Sequence, residues 1–69
     1  MKYTVNYCGH FFLDDNDNFN CHEYASFMYA RNILWDIIQS GIDEHAYLKD
    51  EEYDCCLRWD PEEKDFYWD

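Results

Sequence analysis

The sequence is poor in cations and in glycine. Only five of its 69 residues are Lys or Arg, against sixteen Asp or Glu, so its formal net charge is -11 at pH 7. Binding of the chain to DNA, RNA or anionic lipid would require basic surface, which five scattered cations do not supply. The two Gly residues are too few for the Gly-rich loops that hold phosphates or dinucleotides. These absences exclude direct nucleic-acid binding and two large classes of nucleotide site.

Long apolar runs are also missing. No run approaches the roughly 18 residues that a membrane-spanning helix needs. The first twelve residues hold one Lys and no long apolar segment, so we expect no secretion signal. The sequence therefore predicts a cytoplasmic protein without a membrane partner, in which the four Cys are reduced.

Aromatic residues are abundant. Phe, Trp and Tyr make up 22% of the chain, and 48% of it is apolar. That apolar share is too high for a disordered acidic tail, so the chain should fold. Its length limits it to a single compact acidic domain over residues 1–69.

The hydrophobic periodicity predicts an α+β domain of order β-α-β-β-β. Alternation over residues 2–8 predicts a first strand. Helical spacing predicts an amphipathic helix from Cys21 to Ser40, with Asn20 as its N-cap and Gly41 ending it in the left-handed conformation. Three further strands are predicted at 44–49, 53–59 and 65–68. We expect one helix packed on an antiparallel sheet.

The predicted core lies between this helix and one face of the later strands. The helix contributes Phe27, Ala30, Leu34, Ile37 and Ile38. The strands contribute Tyr53, Leu57, Trp59, Phe66 and Trp68.

Carboxylates form the main functional signal. A solvated surface that keeps a small protein soluble is the alternative explanation, but -11 on 69 residues exceeds the magnitude of about 2–8 that solubility needs. Alternate strand residues project about 6.6 Å apart, so carboxylates on strands and turns are expected to form a negative row. We predict a binding surface for a cationic protein, with tyrosines as anchors. The predicted contact residues are Asp43, Glu44, Tyr47, Asp50, Glu51, Glu52, Tyr53, Asp54, Asp60, Glu62, Glu63 and Asp65, with Tyr67 as a further anchor.

Three acidic segments carry a resemblance in composition. They read DEH at 43–45, DEEYD at 50–54 and DPEEKD at 60–65. A small acidic α+β chain of this kind resembles the antagonists that phages and mobile elements make against host defence, among them nucleic-acid mimics and many anti-CRISPR proteins. The resemblance implies an inhibitor, acting in the host-cell cytoplasm, that blocks the DNA-, RNA- or PAM-binding surface of a CRISPR-Cas effector, a restriction enzyme or another basic nucleic-acid-binding protein.

A zinc-binding adaptor is the main alternative. Two thiols and two imidazoles, of Cys8, His10, Cys21 and His22, could complete a tetrahedral site. Their spacing differs from the usual Cys pairs, so we assign no metal and no cofactor. Residues 14–18 match only the start of a calcium-binding loop.

Two further functional expectations follow. No sequence feature orients a nucleophile or forms a dry cleft, so we predict no enzyme. Charge repulsion favours a monomer over a dimer built on exposed aromatics.

Overall fold

The computed structural model describes residues 2–8 and 19–69. Its elements are β1 (Tyr3–Cys8), β2 (Phe19–Tyr24), α1 (Phe27–Gln39), β3 (Tyr47–Asp50), β4 (Cys55–Asp60) and β5 (Asp65–Trp68). The strands form one antiparallel sheet in the order β2-β1-β3-β4-β5. The predicted α+β class, with one helix packed on an antiparallel sheet, is confirmed.

The element order contains one strand more than predicted, and the early helix start was wrong. Residues 19–24, expected as loop and helix, form β2 and pair with β1, with His22 opposite Val5. The helix instead begins after Ser26, whose side chain accepts a hydrogen bond from the Tyr29 amide. Pairing with a buried strand outweighs helical spacing here. The observed order is therefore β-β-α-β-β-β.

The helix ends as the sequence predicts. Gly41 has a φ of +74°, a conformation that only glycine adopts without a steric penalty. The Gly41 amide donates to the Ile38 carbonyl at 3.1 Å, and the Ile42 amide donates to the Ile37 carbonyl at 3.2 Å. This pair of bonds is a Schellman motif, which satisfies carbonyls that the helix leaves without a partner.

The core lies between α1 and the inner face of the sheet, with β1 at its centre. Val5, Leu34 and Leu48 are fully buried, and α1 crosses mainly over β1. The buried side of the helix matches the predicted apolar face except at Phe27, which is only half-buried. Two residues predicted in the core do not belong to it, because Tyr53 is 68% exposed on the β3–β4 turn and Trp68 is 50% exposed on β5.

Aromatic rings cover the part of the inner face that lies towards β5. Trp35 of the helix meets Trp59 and Phe66 edge-on, with ring centroids 5.1 and 5.9 Å away. The Arg31 guanidinium lies over the Phe66 ring at 5.0 Å. The Trp68 ring stacks on Phe27 at 5.9 Å. These contacts extend the packing of the helix to β4 and β5.

Two hairpin turns use the same local design. In each, the last residue of a strand is an Asp whose Oδ1 accepts hydrogen bonds from the amides two and three residues later. These are Asp50 at the end of β3 and Asp60 at the end of β4. The fourth residue after each Asp has a positive φ, 53° at Asp54 and 54° at Lys64. Side-chain capping by Asp therefore closes both turns.

No helix of the described residues lies on the second face of the sheet, which we call the open face. Thr4, Tyr47, Lys49, Cys56 and Arg58 belong to it by their register. The molecule is correspondingly thin, with principal extents of 32 × 28 × 16 Å. Among the residues that the structure describes, no helix is long and apolar enough to cross a membrane.

The left-handed backbone at Lys64 favours glycine over alanine at this position. Lys64→Gly should be more stable than Lys64→Ala by about 1 kcal/mol, because only the alanine side chain keeps the steric cost of positive φ. Both variants remove the same charge, so the comparison isolates the backbone effect. Urea unfolding measures the difference. An alanine variant as stable as the glycine variant would contradict the assigned conformation.

Candidate partner-binding surface

The predicted contact residues do not form one continuous surface. The β3–β4 turn (51–54) and the β4–β5 turn (61–64) lie at opposite ends of β4. Six residues of β4 separate them by about 17 Å at the usual strand rise. That separation exceeds the screening length of about 8 Å at physiological salt. The two groups of carboxylates therefore act as separate charged surfaces.

Three of the predicted contact carboxylates hold the backbone together. Asp43 accepts from the amides of Cys8 and His45, both at 2.9 Å, and so ties the end of β1 to the segment before β3. Asp50 is only 8% exposed, and both it and Asp60 close the hairpin turns described above. These side chains have a structural role whatever else they contact.

The charge of the β3–β4 turn is partly compensated by a neighbouring cation. Lys49 lies 3.2 Å from the Asp54 carboxylate and 4.0 Å from that of Glu51. The hydrogen bond that Lys49 donates to the Asp54 carboxylate, followed by the charge of Glu51, raises the pKa of Lys49. Glu51 also accepts the Thr4 hydroxyl at 3.0 Å. In this turn, Glu52 is the carboxylate without an ion pair or side-chain hydrogen bond among the described residues.

The other end of the sheet carries the uncompensated charge. The segment before β3 and the β4–β5 turn come together there, since Tyr47 pairs with Arg58 and Asp60 pairs with Asp65. We call this region the acidic end and define it as six carboxylates, those of Asp43, Glu44, Asp60, Glu62, Glu63 and Asp65. Its turn holds one cation, Lys64, which makes no ion pair in the part of the chain that the structure describes.

A like-charge pair lies within the acidic end. Asp60 and Asp65 are direct partners across β4 and β5. Like charges placed opposite each other across two strands destabilise a sheet. Glu62 and Glu63 are exposed on the turn that joins the two strands. Repulsion between carboxylates therefore accumulates at this end of the sheet.

A small pocket adjoins the acidic end. Its volume is about 80 Å³, and it is lined by Glu44, His45, Ala46, Arg58, Trp59 and Tyr67. Water occupies about 30 Å³ per molecule in the liquid, so the pocket accommodates a group of a few heavy atoms and no large substrate. Arg58 and Trp59 were not among the contact residues predicted from the sequence. Strand alternation had, however, placed Arg58 on the face away from the helix.

The three candidate tyrosines occupy different sites. Tyr53 is exposed on the β3–β4 turn. Tyr47 lies on the open face under the Arg58 guanidinium, 4.7 Å from its ring centroid. Tyr67 is 46% exposed and lines the pocket beside the acidic end. Tyr67, which the sequence ranked last, is therefore the tyrosine best placed beside the uncompensated charge.

The geometry separates two of the four candidate zinc ligands. Cys21 and His22 are neighbours in β2, so their side chains point to opposite faces of the sheet. The His22 ring stacks on Tyr7 on the inner side, with centroids 6.2 Å apart. His10 and the candidate calcium ligands at 14–18 lie outside the described residues. Within residues 2–8 and 19–69, no group of His, Cys, Asp or Glu has metal-binding geometry.

Asp50 provides a test that separates structural from surface carboxylates. Asp50→Ala should destabilise the fold by about 2 kcal/mol, because two amides lose a charged hydrogen-bond acceptor. Glu52→Gln in the same turn should change stability by less than about 0.5 kcal/mol. Urea unfolding of both variants makes the comparison. Equal effects would contradict the assigned capping role.

The raised pKa values of one thiol and two phenols predict that the fold loses stability at alkaline pH. Burial, followed by the charge of Asp50, raises the pKa of both Cys55 and Tyr3, and burial also raises that of Tyr24. A raised pKa stabilises the fold fully below the unfolded value, and this contribution is lost as pH rises through the folded value.

The melting temperature should therefore fall above about pH 9, the ordinary value for a thiol. Thermal unfolding followed by circular dichroism between about pH 8 and 10.5 measures this. Cys55→Ser should weaken the first part of the decline. A melting temperature that stays level over this range would contradict the assignment.

The comparisons with known proteins give no relative. No protein family model, curated protein or solved structure matches this chain. The case for a function therefore depends on the chain's own residues.

Proposed function

We propose that this protein is an inhibitor that binds a basic, nucleic-acid-binding protein through its acidic end and so occupies the surface that the nucleic acid would use. A CRISPR-Cas effector is the first target to test, and a restriction enzyme is the second. The observation that carries the proposal is the uncompensated charge of the acidic end, in which one lysine faces six carboxylates.

The distribution of the cations supports this choice of surface. Lys2, Lys49 and Arg58 each lie within 4.0 Å of a carboxylate outside the acidic end. Glu62 and Glu63 have no such partner among the described residues. Charge that served solubility alone would be equally effective if it were dispersed, as on ordinary small domains.

The like-charge pair supports it further. Asp60 caps a turn, so its carboxylate has a structural reason to be present. Asp65 lies directly opposite and adds repulsion. Natural proteins tolerate a local loss of stability where function requires it. A cationic partner would relieve this repulsion on binding, so the free energy gained is greater than from isolated surface charges.

The expected mechanism has two parts. The negative field of the acidic end raises the rate of encounter with a basic surface, and this effect weakens as salt increases. Isolated rim charges add little affinity, so retention needs packed anchors, and Tyr67 and Trp59 lie at the adjoining pocket. The bound inhibitor then excludes nucleic acid because both need the same cations.

A charge-matched pair of variants tests the proposal. The acidic-end variant is Glu44→Gln, Glu62→Gln, Glu63→Gln, and the control is Glu23→Gln, Asp36→Asn, Glu52→Gln. Each removes three negative charges, and none of these six residues caps a turn. The assay measures displacement of a labelled DNA duplex from a guide-loaded Cas effector by fluorescence anisotropy.

The acidic-end variant should lose roughly tenfold or more in inhibition, and the control less than about threefold. Inhibition by the unmodified protein should weaken steeply between about 0.05 and 0.3 M NaCl. Equal losses from the two variants would contradict the assigned surface. A complex that forms without displacing the duplex, for the Cas effector and for a restriction enzyme alike, would overturn the proposed mode of inhibition.

A further inference from the structure

The outer side of β5 is a sheet edge with backbone groups available for pairing. Cys56 and Asp69 exchange both backbone hydrogen bonds, at 3.1 and 2.7 Å. In an antiparallel pair such positions alternate, so the backbone groups of Phe66 and Trp68 point away from β4. β5 is the last strand of the sheet formed by the described residues. The edge therefore offers the Trp68 amide and the carbonyls of Phe66 and Trp68.

One backbone amide of this edge is already capped by a side chain. The Phe66 amide, which points outward, donates to the Asp65 carboxylate at 2.8 Å. Side-chain capping of an edge amide hinders pairing with arbitrary strands. The Asp65 carboxylate has acceptor sites left over, so it also attracts a cation placed opposite it across the edge. The edge is therefore most open to a strand that carries positive charge.

Aromatic side chains flank the edge on both faces of the sheet. Trp68 is 50% exposed and Trp35 39% exposed on the helix side, and Tyr67 is half-exposed on the open face. Large aromatics that are only partly covered are the usual anchors of binding surfaces. An added strand would cover them with its own alternating side chains.

Pairing with a second copy of the chain is opposed by charge. A symmetric antiparallel pair of β5 strands centred on Tyr67 would place Asp65 of each copy opposite Asp69 of the other. Two like-charge contacts would form between molecules of net charge -11. The same two carboxylates suit a strand with cations at these two positions.

We propose that the β5 edge binds an extended basic segment of a partner protein as a sixth strand of the sheet. Strand pairing would add to the attraction between the acidic end and a basic partner. The identification of this partner as the inhibited target rests on the proposed function. In an antiparallel segment centred opposite Tyr67, the first and fifth residues lie opposite Asp69 and Asp65 and are Lys or Arg. The second and fourth residues lie opposite Trp68 and Phe66 and are apolar. The segment therefore reads basic-apolar-any-apolar-basic.

Synthetic peptides test the predicted segment directly. The probe is KVTVK flanked by Gly and Ser, and the control is EVTVE in the same flanks. Titration into the isotope-labelled protein should shift the backbone amide resonances of Phe66 and Trp68, and saturation with KVTVK should slow hydrogen exchange of the Trp68 amide at least tenfold. Equal binding of the two peptides, or protection at β2 instead of β5, would overturn the proposal.

Two substitutions at one position separate backbone pairing from side-chain contact. Trp68→Pro removes the outward amide without removing a bond to β4, and Trp68→Val keeps the amide. The proline variant should bind KVTVK at least tenfold more weakly than the valine variant. Circular dichroism checks that both variants are folded. If the proline variant is unfolded, hydrogen exchange at the Trp68 amide of the unmodified protein with KVTVK decides whether the backbone pairs.

The outcomes also separate this inference from the proposed function. Peptide binding is measured without a nucleic-acid-binding protein, so a failure of inhibition leaves it standing. Charge-dependent inhibition with no peptide at the β5 edge would overturn strand addition alone. A Trp68 amide protected in a dimer without peptide would identify a second copy as the occupant and overturn the proposal.

Discussion

The fold is organised around burial of the interior strand β1. Val5 and Tyr7 lie under the helix, with exposures of 0% and 1%. β1 also pairs with β2 on one side and β3 on the other. A chain this short buries only about 60% of the surface of its unfolded form, so one strand has to serve both the helix and the sheet. The hairpins and the β5 edge extend outward from this centre.

The carboxylates divide by what they contact. Asp43, Asp50 and Asp60 satisfy backbone amides, and Asp54 pairs with Lys49. Those of the β4–β5 turn contribute no comparable contact to the fold among the described residues. A single formal charge of -11 thus combines structural acids with acids that are available to a partner. The proposed function uses the second group together with Asp43 and Asp60, which also belong to the acidic end.

The sequence predicted the parts of the fold that local chemistry determines. Gly41 ends the helix because its backbone is left-handed, and β5 has the predicted bounds. The strand at 19–24 was missed, because its pairing with β1 is a long-range contact that helical spacing concealed. Its own alternation, with Cys21 and Glu23 exposed and Asn20 buried, was the available signal.

The candidate site was predicted as a composition and not as a surface. Residue types alone do not reveal that turns 51–54 and 61–64 lie at opposite ends of β4, because this follows from strand pairing. They also do not reveal that an Asp at a strand end caps its own turn until the turn conformation is known. The position of Tyr67 beside the acidic end likewise follows only from the pairing of β5 with β4.

Amide chemical-shift mapping tests directly whether a partner binds at the acidic end. The isotope-labelled protein is titrated with the Cas effector or restriction enzyme that we propose it inhibits, and perturbations are compared between the two charged ends. We expect shifts at residues 60–69 and at Glu44, with little change at residues 51–54. Shifts centred on residues 51–54, or spread evenly over all acidic residues, would contradict binding through the acidic end.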